Sequence, residues 1–141
     1  MTRICGIELK ASEAVLTILE LRDEEILFLD SEPRKIKIGN DELTTEVRSF
    51  FDSFTNYIRD NKIQKIVIKK RAKQGQMAGG AVSFKLESLI QLNGIAEVFF
   101  VSGQAIAAAQ KREPFDLPEK INKYQETAFM AAHLYLRQNK L

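Results

Sequence analysis

Three short runs of strand-forming residues open the chain, and their spacing constrains the fold more than any other feature of the sequence. They cover residues 3–9, 14–21 and 26–30, and short polar segments separate them. Runs of this length with turn residues between them are typical of neighbouring antiparallel strands. The amino-terminal part is therefore predicted to form a three-stranded meander.

The remaining chain alternates helical and strand-like patterns. Asn40 or Asp41 is a candidate helix cap, and an apolar face at helical spacing runs from there to about Asn61. The later predicted elements are a strand at 66–68, a helix at 81–92, a strand at 96–101, a short helix from Ser102 or Gly103, and a last helix at 119–138. This order predicts an α/β fold with a mixed five-stranded sheet, the meander plus parallel strands, flanked by helices.

One carboxylate interrupts the first predicted strand. Glu8 lies on the same face of that strand as Ile4 and Gly6, where the pattern calls for an apolar side chain. A buried carboxylate is costly without a partner, a metal ion or water. Glu8 therefore marks a candidate site.

Length and composition indicate one domain over residues 1–141, because a chain of 141 residues with 45% apolar content can form its own core. No apolar run approaches the roughly 20 residues that span a bilayer, and the amino terminus lacks a secretion-signal pattern. We therefore expect a cytoplasmic protein with no membrane partner. Cys5 is the only cysteine, so no disulfide forms within the chain, and its place on an apolar strand is typical of the core.

The net charge of +2 conceals an uneven distribution. Residues 1–60 carry 8 Lys/Arg against 13 Asp/Glu, whereas residues 61–141 carry 13 against 6. The most basic segment runs from Lys62 to Lys73 and contains no acid. Such a segment is suited to contact phosphates. The alternative interpretation is a solvated strand end and loop.

The order of elements and the Gly6-Ile7-Glu8 strand resemble the Holliday-junction resolvase branch of the ribonuclease H-like superfamily. More closely, Ala78–Lys85 (AGGAVSFK) and Tyr124–Phe129 (YQETAF) resemble a small bacterial family called domain of unknown function 3010. The resemblance covers nearly the whole chain. It implies a ribonuclease H-like fold, and it assigns no activity because the family is uncharacterised.

Resolvases of this branch cut phosphodiesters with metal ions held by carboxylates, and the resemblance implies where such ligands would lie. Glu8 matches the acid of the first strand, although aspartate is usual there. The position that ends the fourth strand falls at Lys69, with Lys70 beside it. The last helix normally carries two acids three residues apart; Glu126 matches the later one and Lys123 occupies the earlier place. The resemblance thus leaves Glu8 and Glu126 as catalytic and metal-ligand candidates, for Mg²⁺ or Mn²⁺ if the protein is an enzyme.

The two replacements of an acid by lysine suggest a different arrangement. Whichever of Lys69 and Lys70 shares the face of Glu8 is predicted to pair with it and hold the site together without metal. On the last helix, Lys123, Glu126, Met130 and His133 share a stripe that is expected to border one cleft. Alternatively, Glu126 pairs with Lys123 on the solvent side, and His133 is a packed or surface residue.

A glycine-rich turn precedes the second predicted helix. Gly79 and Gly80 allow a close backbone approach, and Ser83 and Lys85 are candidate additional contacts for an anion at the helix amino end. The segment lacks the ending of a P-loop, and no dinucleotide fingerprint is present. The alternative interpretation is a tight turn whose glycines avoid the sheet.

Two function hypotheses follow. The first, which we favour, is a non-catalytic ribonuclease H-like module with an altered, metal-deficient site that interacts with nucleic acid. Its candidate nucleic-acid contacts are Lys69, Lys70, Arg71, Lys73 and Lys85. The second is a metal-dependent nuclease that acts on structured DNA or RNA through Glu8 and Glu126. Nucleic acid and a second copy of the chain, as a homodimer, are the candidate partners.

Overall fold

The computed structural model of the protein describes residues 1–71 and 80–139. Within these ranges the chain forms six strands and four α-helices around one sheet. The elements are β1 Thr2–Lys10, β2 Glu13–Arg22, β3 Glu25–Leu29, β4 Lys35–Lys37, α1 Thr44–Asp60, β5 Lys65–Lys69, α2 Ala81–Gln91, β6 Glu97–Val101, α3 Gly103–Arg112, a 3-10 turn at Lys123–Gln125, and α4 Glu126–Asn139.

The sheet has the order β3-β2-β1-β5-β6, with β4 paired to β2 outside this path. The strands β1, β2 and β3 are antiparallel neighbours, as the short polar turns between them predict. β5 and β6 add in parallel, because α1 and α2 carry the chain back across the sheet before each of them. The predicted mixed α/β arrangement is confirmed, and β4 makes the sheet six-stranded rather than five-stranded.

Each face of the sheet carries a buried core. Residues of β1 and β5 contribute to both cores, because their side chains point alternately to opposite sides. On one face Ile7 and Ile68 pack in a core that includes Phe54 of α1 and Leu86 of α2. On the other face Ile4, Val67 and Val101 join a second core with residues of α3 and α4. Cys5 is fully buried in the first core, and burial raises the pKa of its thiol to about 12. It is a core residue, as its place on an apolar strand predicts.

Helix α4 closely approaches the sheet at Gly6. A methyl group there would meet the backbone carbonyl oxygen of Ala128 at far less than contact distance, and it would lie 2.9 Å from Ala132 Cβ and from Thr17 Oγ1. Only glycine leaves room for α4 at this point. This contact brings the amino-terminal half of α4 down onto the strand that carries Glu8.

Two helix starts differ from the sequence prediction. α1 begins at Thr44 after Leu43, and the Asn40 side chain instead accepts a hydrogen bond from the Glu42 amide in the preceding turn. The last helix begins at Glu126 rather than near residue 119. Asn122 and Gln125 form reciprocal capping hydrogen bonds around the 3-10 turn, which stops helix formation before that point. In the described residues, no helix is long and apolar enough to cross a membrane.

Candidate functional site

The carboxyl ends of β1 and β5 carry charged side chains on the same face of the sheet. Glu8 follows Ile4 and Gly6 by even steps along β1, and Lys69 follows Val67 by the same step along β5, so both face α3 and α4. Lys69 Nζ lies 4.0 Å from Glu8 Oε2. Of the two lysines at the end of β5, it is therefore Lys69 that pairs with Glu8.

A second lysine contributes to the neutralisation of Glu8. Lys10 Nζ lies 3.4 Å from Glu8 Oε1, two residues further along the same strand. The Glu8 side chain is 13% exposed, so two ammonium groups face one largely buried carboxylate. Glu8 Oε1 is nevertheless buried without a hydrogen bond from the described part of the chain. Lys10 is not among the residues that the sequence predicts for the site, although its even spacing from Glu8 on a strand is a usable signal.

A cleft of about 380 Å³ opens beside Lys69, between β5, α3 and α4. Lys69 and Glu126 are its charged lining residues in the described chain, and Gly103, Gln110 and Met130 contribute smaller or neutral surface. Gly103 begins α3, and a methyl group there would lie 3.2 Å from Lys69 Cε. The lysine stem therefore runs against the start of α3. Ser102 caps that helix by accepting a hydrogen bond from the Ala105 amide.

Glu126 is held at the cleft by its neighbour in the chain. The Gln125 side chain is buried and donates a hydrogen bond of 2.9 Å to the Leu16 carbonyl oxygen on β2. This contact fixes the first turn of α4 on the sheet and directs Glu126 and Met130 to the cleft. Lys123 lies in the preceding 3-10 turn, is exposed and does not line the cleft. The expectation that it shares a stripe with Glu126 is wrong, because α4 begins only at residue 126.

His133 also lies away from the cleft. Its ring packs against Phe115 and Phe129, with centroid separations of 5.5 and 5.6 Å. Burial lowers the pKa of His133, and the neighbouring Arg137 charge lowers it further. The structure thus favours the alternative that the sequence left open, a packed histidine.

Lys70 and Arg71 point to the other side of the sheet. Arg71 forms a 2.7 Å ion pair with Glu87 of α2, and its guanidinium lies 3.6 Å from the centroid of the Phe84 ring. Its side chain is only 7% exposed. Arg71 is therefore committed to contacts with α2, whereas Lys70 is exposed.

The predicted anion-binding turn is only partly described. Ser83 is buried and donates a 2.8 Å hydrogen bond to the Ala11 carbonyl oxygen, so its hydroxyl supports the β1–β2 turn rather than facing an anion. Lys85 Nζ donates to the Asp41 carbonyl oxygen and pairs with the Asp41 carboxylate at 3.3 Å, which ties α2 to the segment before α1. Gly80 precedes α2, and an added Cβ there would have no neighbour within 4 Å in the part of the chain that the structure describes. Lys73 and Gly79 lie outside the described residues.

A fully buried acid, Glu20, is not among the residues that the sequence predicts for a site. Glu20 on β2 is fully buried, pairs with Arg3 at 2.9 Å and also pairs with Arg22. The hydrogen bond from Arg3 holds the pKa of Glu20 below its usual range. Its position within an apolar strand is the signal that singled out Glu8. The difference is that arginines satisfy Glu20 by direct hydrogen bonds.

The residues beside Glu8 do not fit a bound divalent cation. Within residues 1–71 and 80–139 no group of three or more Asp, Glu, His or Cys side chains is placed to hold a metal ion. Mg²⁺ and Mn²⁺ sites of nucleases need several hard oxygen ligands. Here Lys69 and Lys10 bring positive charge to the carboxylate instead, and an ammonium group repels a cation.

Comparisons with known proteins agree with this architecture. A family model described as "Protein of unknown function (DUF3010)" matches residues 2–135. No curated protein sequence matches the chain. Among solved structures, Thermus thermophilus RuvC superposes with a TM-score of 0.72 at 10% identity, covering 97% of this chain and 96% of that one.

Two further structures share the fold. T. thermophilus RuvC in complex with a Holliday junction substrate gives a TM-score of 0.66 at 11% identity, covering 99% and 97% of the two chains. The fowlpox virus Holliday junction resolvase gives 0.53 at 14% identity, covering 97% and 99%. At these identities the likeness concerns the fold alone. The predicted ribonuclease H-like architecture is confirmed.

Proposed function

The chain belongs to the DUF3010 family of proteins of unknown function, and we propose from its own residues that it is a ribonuclease H-like module that binds nucleic acid at a metal-free site. The observation that carries the proposal is the pairing of Glu8 with Lys69 and Lys10, at 4.0 and 3.4 Å. In this arrangement ammonium groups neutralise the carboxylate. The site then attracts phosphates rather than divalent cations.

Exposed positive charge at the end of β5 supports the proposal. The Lys69 side chain is 31% exposed and lines the cleft, and Lys70 is exposed immediately after it. Neutralising backbone phosphates with lysines releases condensed counterions, which is the main source of sequence-independent affinity for nucleic acid. Glu126 on the opposite side of the cleft limits how closely a phosphate approaches. We therefore assign the phosphate contacts to the β5 side.

The fold is compatible with this role. T. thermophilus RuvC, whose architecture this chain shares, is described in complex with a Holliday junction substrate. A four-way junction is therefore the first nucleic acid to test, beside duplex and single-stranded DNA. The proposal for this chain is binding without turnover.

Fluorescence anisotropy over a range of salt concentrations tests the proposal. We expect log Kd to rise linearly with log salt, because each phosphate contact contributes a slope of about 0.9 on duplex DNA. Lys70→Glu should weaken binding and flatten that slope. Lys62→Glu, which reverses an exposed charge before the opposite end of β5, is the matched control and should change little. Binding that is independent of salt, or equal for both variants, would contradict the proposal.

A metal-dependent nuclease acting through Glu8 and Glu126 is the second candidate. The observation in its favour is Glu8 Oε1, a buried oxygen without a hydrogen bond from the described residues. A panel of junction, flap, duplex and single-stranded substrates with Mg²⁺ and with Mn²⁺ tests it. Cleavage that Glu8→Gln abolishes while the fold survives would establish this alternative.

A further inference from the structure

A second cavity lies on the opposite face of the sheet from Glu8. It has a volume of about 480 Å³ and opens between the end of β5, the strand β6 and the helix α2. We call it the α2 pocket, and its lining residues in the described chain are Lys70, Arg71, Phe84, Glu87, Gln91 and Phe100. A volume of this size falls within the range of small-molecule and cofactor sites.

One wall of the α2 pocket is preorganised. The Arg71 guanidinium stacks on the Phe84 ring at 3.6 Å and pairs with Glu87 at 2.7 Å, with its side chain 7% exposed. A guanidinium held between a ring and a carboxylate loses little further entropy when a ligand binds. This wall therefore presents a fixed polar and aromatic surface.

Other described lining residues of the α2 pocket are exposed or half-buried. Lys70 and Gln91 are exposed, and Phe100 is only half-buried at the end of β6. Among its described lining residues, two cations and one acid give the pocket a net positive charge. A fitting ligand is therefore planar and anionic, and it carries polar groups along one edge.

We infer that the α2 pocket accepts one unpaired nucleotide of a bound nucleic acid. The inference rests on the proposed function and names the part of the nucleic acid that this second site takes. Phe100 provides a face for base stacking, and Lys70 contacts the adjoining phosphate. Gln91 offers an amide donor and acceptor to the base edge, and Glu87 offers an acceptor.

The carboxyl end of β5 connects the α2 pocket with the cleft beside Lys69. Lys69 and Lys70 are consecutive residues whose side chains point to opposite faces at the carboxyl end of β5. A nucleic-acid strand that contacts Lys69 thus reaches the α2 pocket by passing around the carboxyl end of β5. A base of a paired duplex enters such a pocket only after it is unpaired and unstacked, which costs free energy. The pocket therefore favours single-stranded or unpaired regions.

Anisotropy with a fluorescein-labelled single-stranded oligonucleotide and the matching blunt duplex tests the inference on the full chain. Phe100→Leu keeps apolar volume but removes the stacking face, so we expect at least about fivefold weaker single-strand binding, from stacking of about 1 kcal/mol or more. Duplex binding should remain within twofold. Phe99→Leu is the control, because Phe99 lies on the same strand but packs against Tyr135 on the other face.

A second readout locates the base directly. An oligonucleotide that carries a single 5-iodouracil should crosslink on irradiation to a peptide containing Phe100 or Phe84, and Phe100→Leu should reduce the yield. If the wild type binds DNA but Phe100→Leu matches Phe99→Leu on every probe and no such crosslink forms, the pocket inference is wrong and the proposed function stands. If the wild type binds no nucleic acid at low salt, the proposed function itself fails, and the pocket inference with it.

Discussion

Lys69 Nζ lies 4.0 Å from Glu8 Oε2, across the parallel pair formed by β5 and β1. Both residues come at the carboxyl ends of their strands, and both point to the face that α3 and α4 cover. The resemblance to resolvases places a metal-binding acid at each of these positions. In this chain one of the two positions holds a lysine, and opposite charges hold the pair together.

The ion pair predicts a measurable coupling between the two side chains. In a double-mutant cycle with Glu8→Gln and Lys69→Met, we expect a coupling energy of about 0.5–1 kcal/mol in the free energy of unfolding. The estimate is modest because Lys69 is partly exposed and Lys10 also neutralises Glu8. Urea denaturation of the four proteins measures it, and coupling should shrink at high salt. A coupling of zero at low salt would contradict the pairing.

The place of Lys69 beside Glu8 also predicts that replacing this lysine by an acid increases metal binding. Lys69→Asp removes a cation and supplies a second carboxylate next to Glu8, so we expect this variant to bind Mn²⁺ more tightly than the wild type. Lys69→Asn is the matched control, since it removes the same cation without adding a charge. Mn²⁺ binding measured by electron paramagnetic resonance distinguishes the three proteins. Wild-type binding as tight as that of Lys69→Asp would count against neutralisation by lysine.

The contact of α4 with β1 predicts that Gly6 is intolerant of substitution. Gly6→Ala places a methyl group against the backbone of Ala128 and the side chains of Thr17 and Ala132. Overpacking against backbone typically costs about 1–3 kcal/mol or more, so the melting temperature should fall by several degrees. Gly80→Ala is the control, because within residues 1–71 and 80–139 no atom outside its chain neighbours lies within 4 Å of the added methyl group. Equal stability of the two variants would show that α4 packs differently.

Much of this arrangement was accessible from the sequence. Short runs of strand-forming residues located β1, β2, β3, β5 and β6, and the even step from Ile4 to Glu8 placed the carboxylate on its face. β4 was missed because three residues after a proline-containing turn carry no readable period. Its pairing with β2 comes from the tertiary structure.

The site residues were harder to predict than the strands. Ser83 bonds to a carbonyl 72 residues away, and no local pattern indicates such a partner. The acidic partners of Arg71 and Lys85 likewise depend on how α2 packs. The sequence predicts Lys123 inside the last helix. The reciprocal capping of Asn122 and Gln125 delays the start of α4 to residue 126, so Lys123 lies before it. Contacts within one strand are encoded locally, whereas contacts between elements follow from packing.

The lowered pKa of His133 predicts that the stability of the protein depends on pH. This pKa is lowered in the folded protein by burial and by Arg137, while the smaller contributions of Glu113 and Asp116 act in the opposite direction. The unfolded chain therefore binds the proton more readily below the ordinary histidine pKa of about 6.5, and stability is lost as the pH falls through that value. Carboxyls with lowered pKa, such as Glu20, act in the same direction at lower pH.

The corresponding measurement compares the wild type with His133→Gln. Between about pH 7.5 and about pH 5.5, we expect the wild type to lose more of its unfolding free energy than the variant, because only the wild type carries the histidine whose pKa is lowered by folding. Chemical denaturation at both pH values gives this difference. Identical slopes for the two proteins would mean that His133 does not titrate differently in the folded state.

The most direct test of a metal-free nucleic-acid site follows binding and cleavage in the same samples. A labelled four-way junction is titrated with the wild-type protein in EDTA and in Mn²⁺, with anisotropy read first and products then separated on a denaturing gel. We predict that the protein binds the junction in EDTA, that Mn²⁺ does not tighten this binding, and that the junction stays intact. Binding that requires Mn²⁺, or Mn²⁺-dependent cleavage that Glu8→Gln abolishes, would contradict the account.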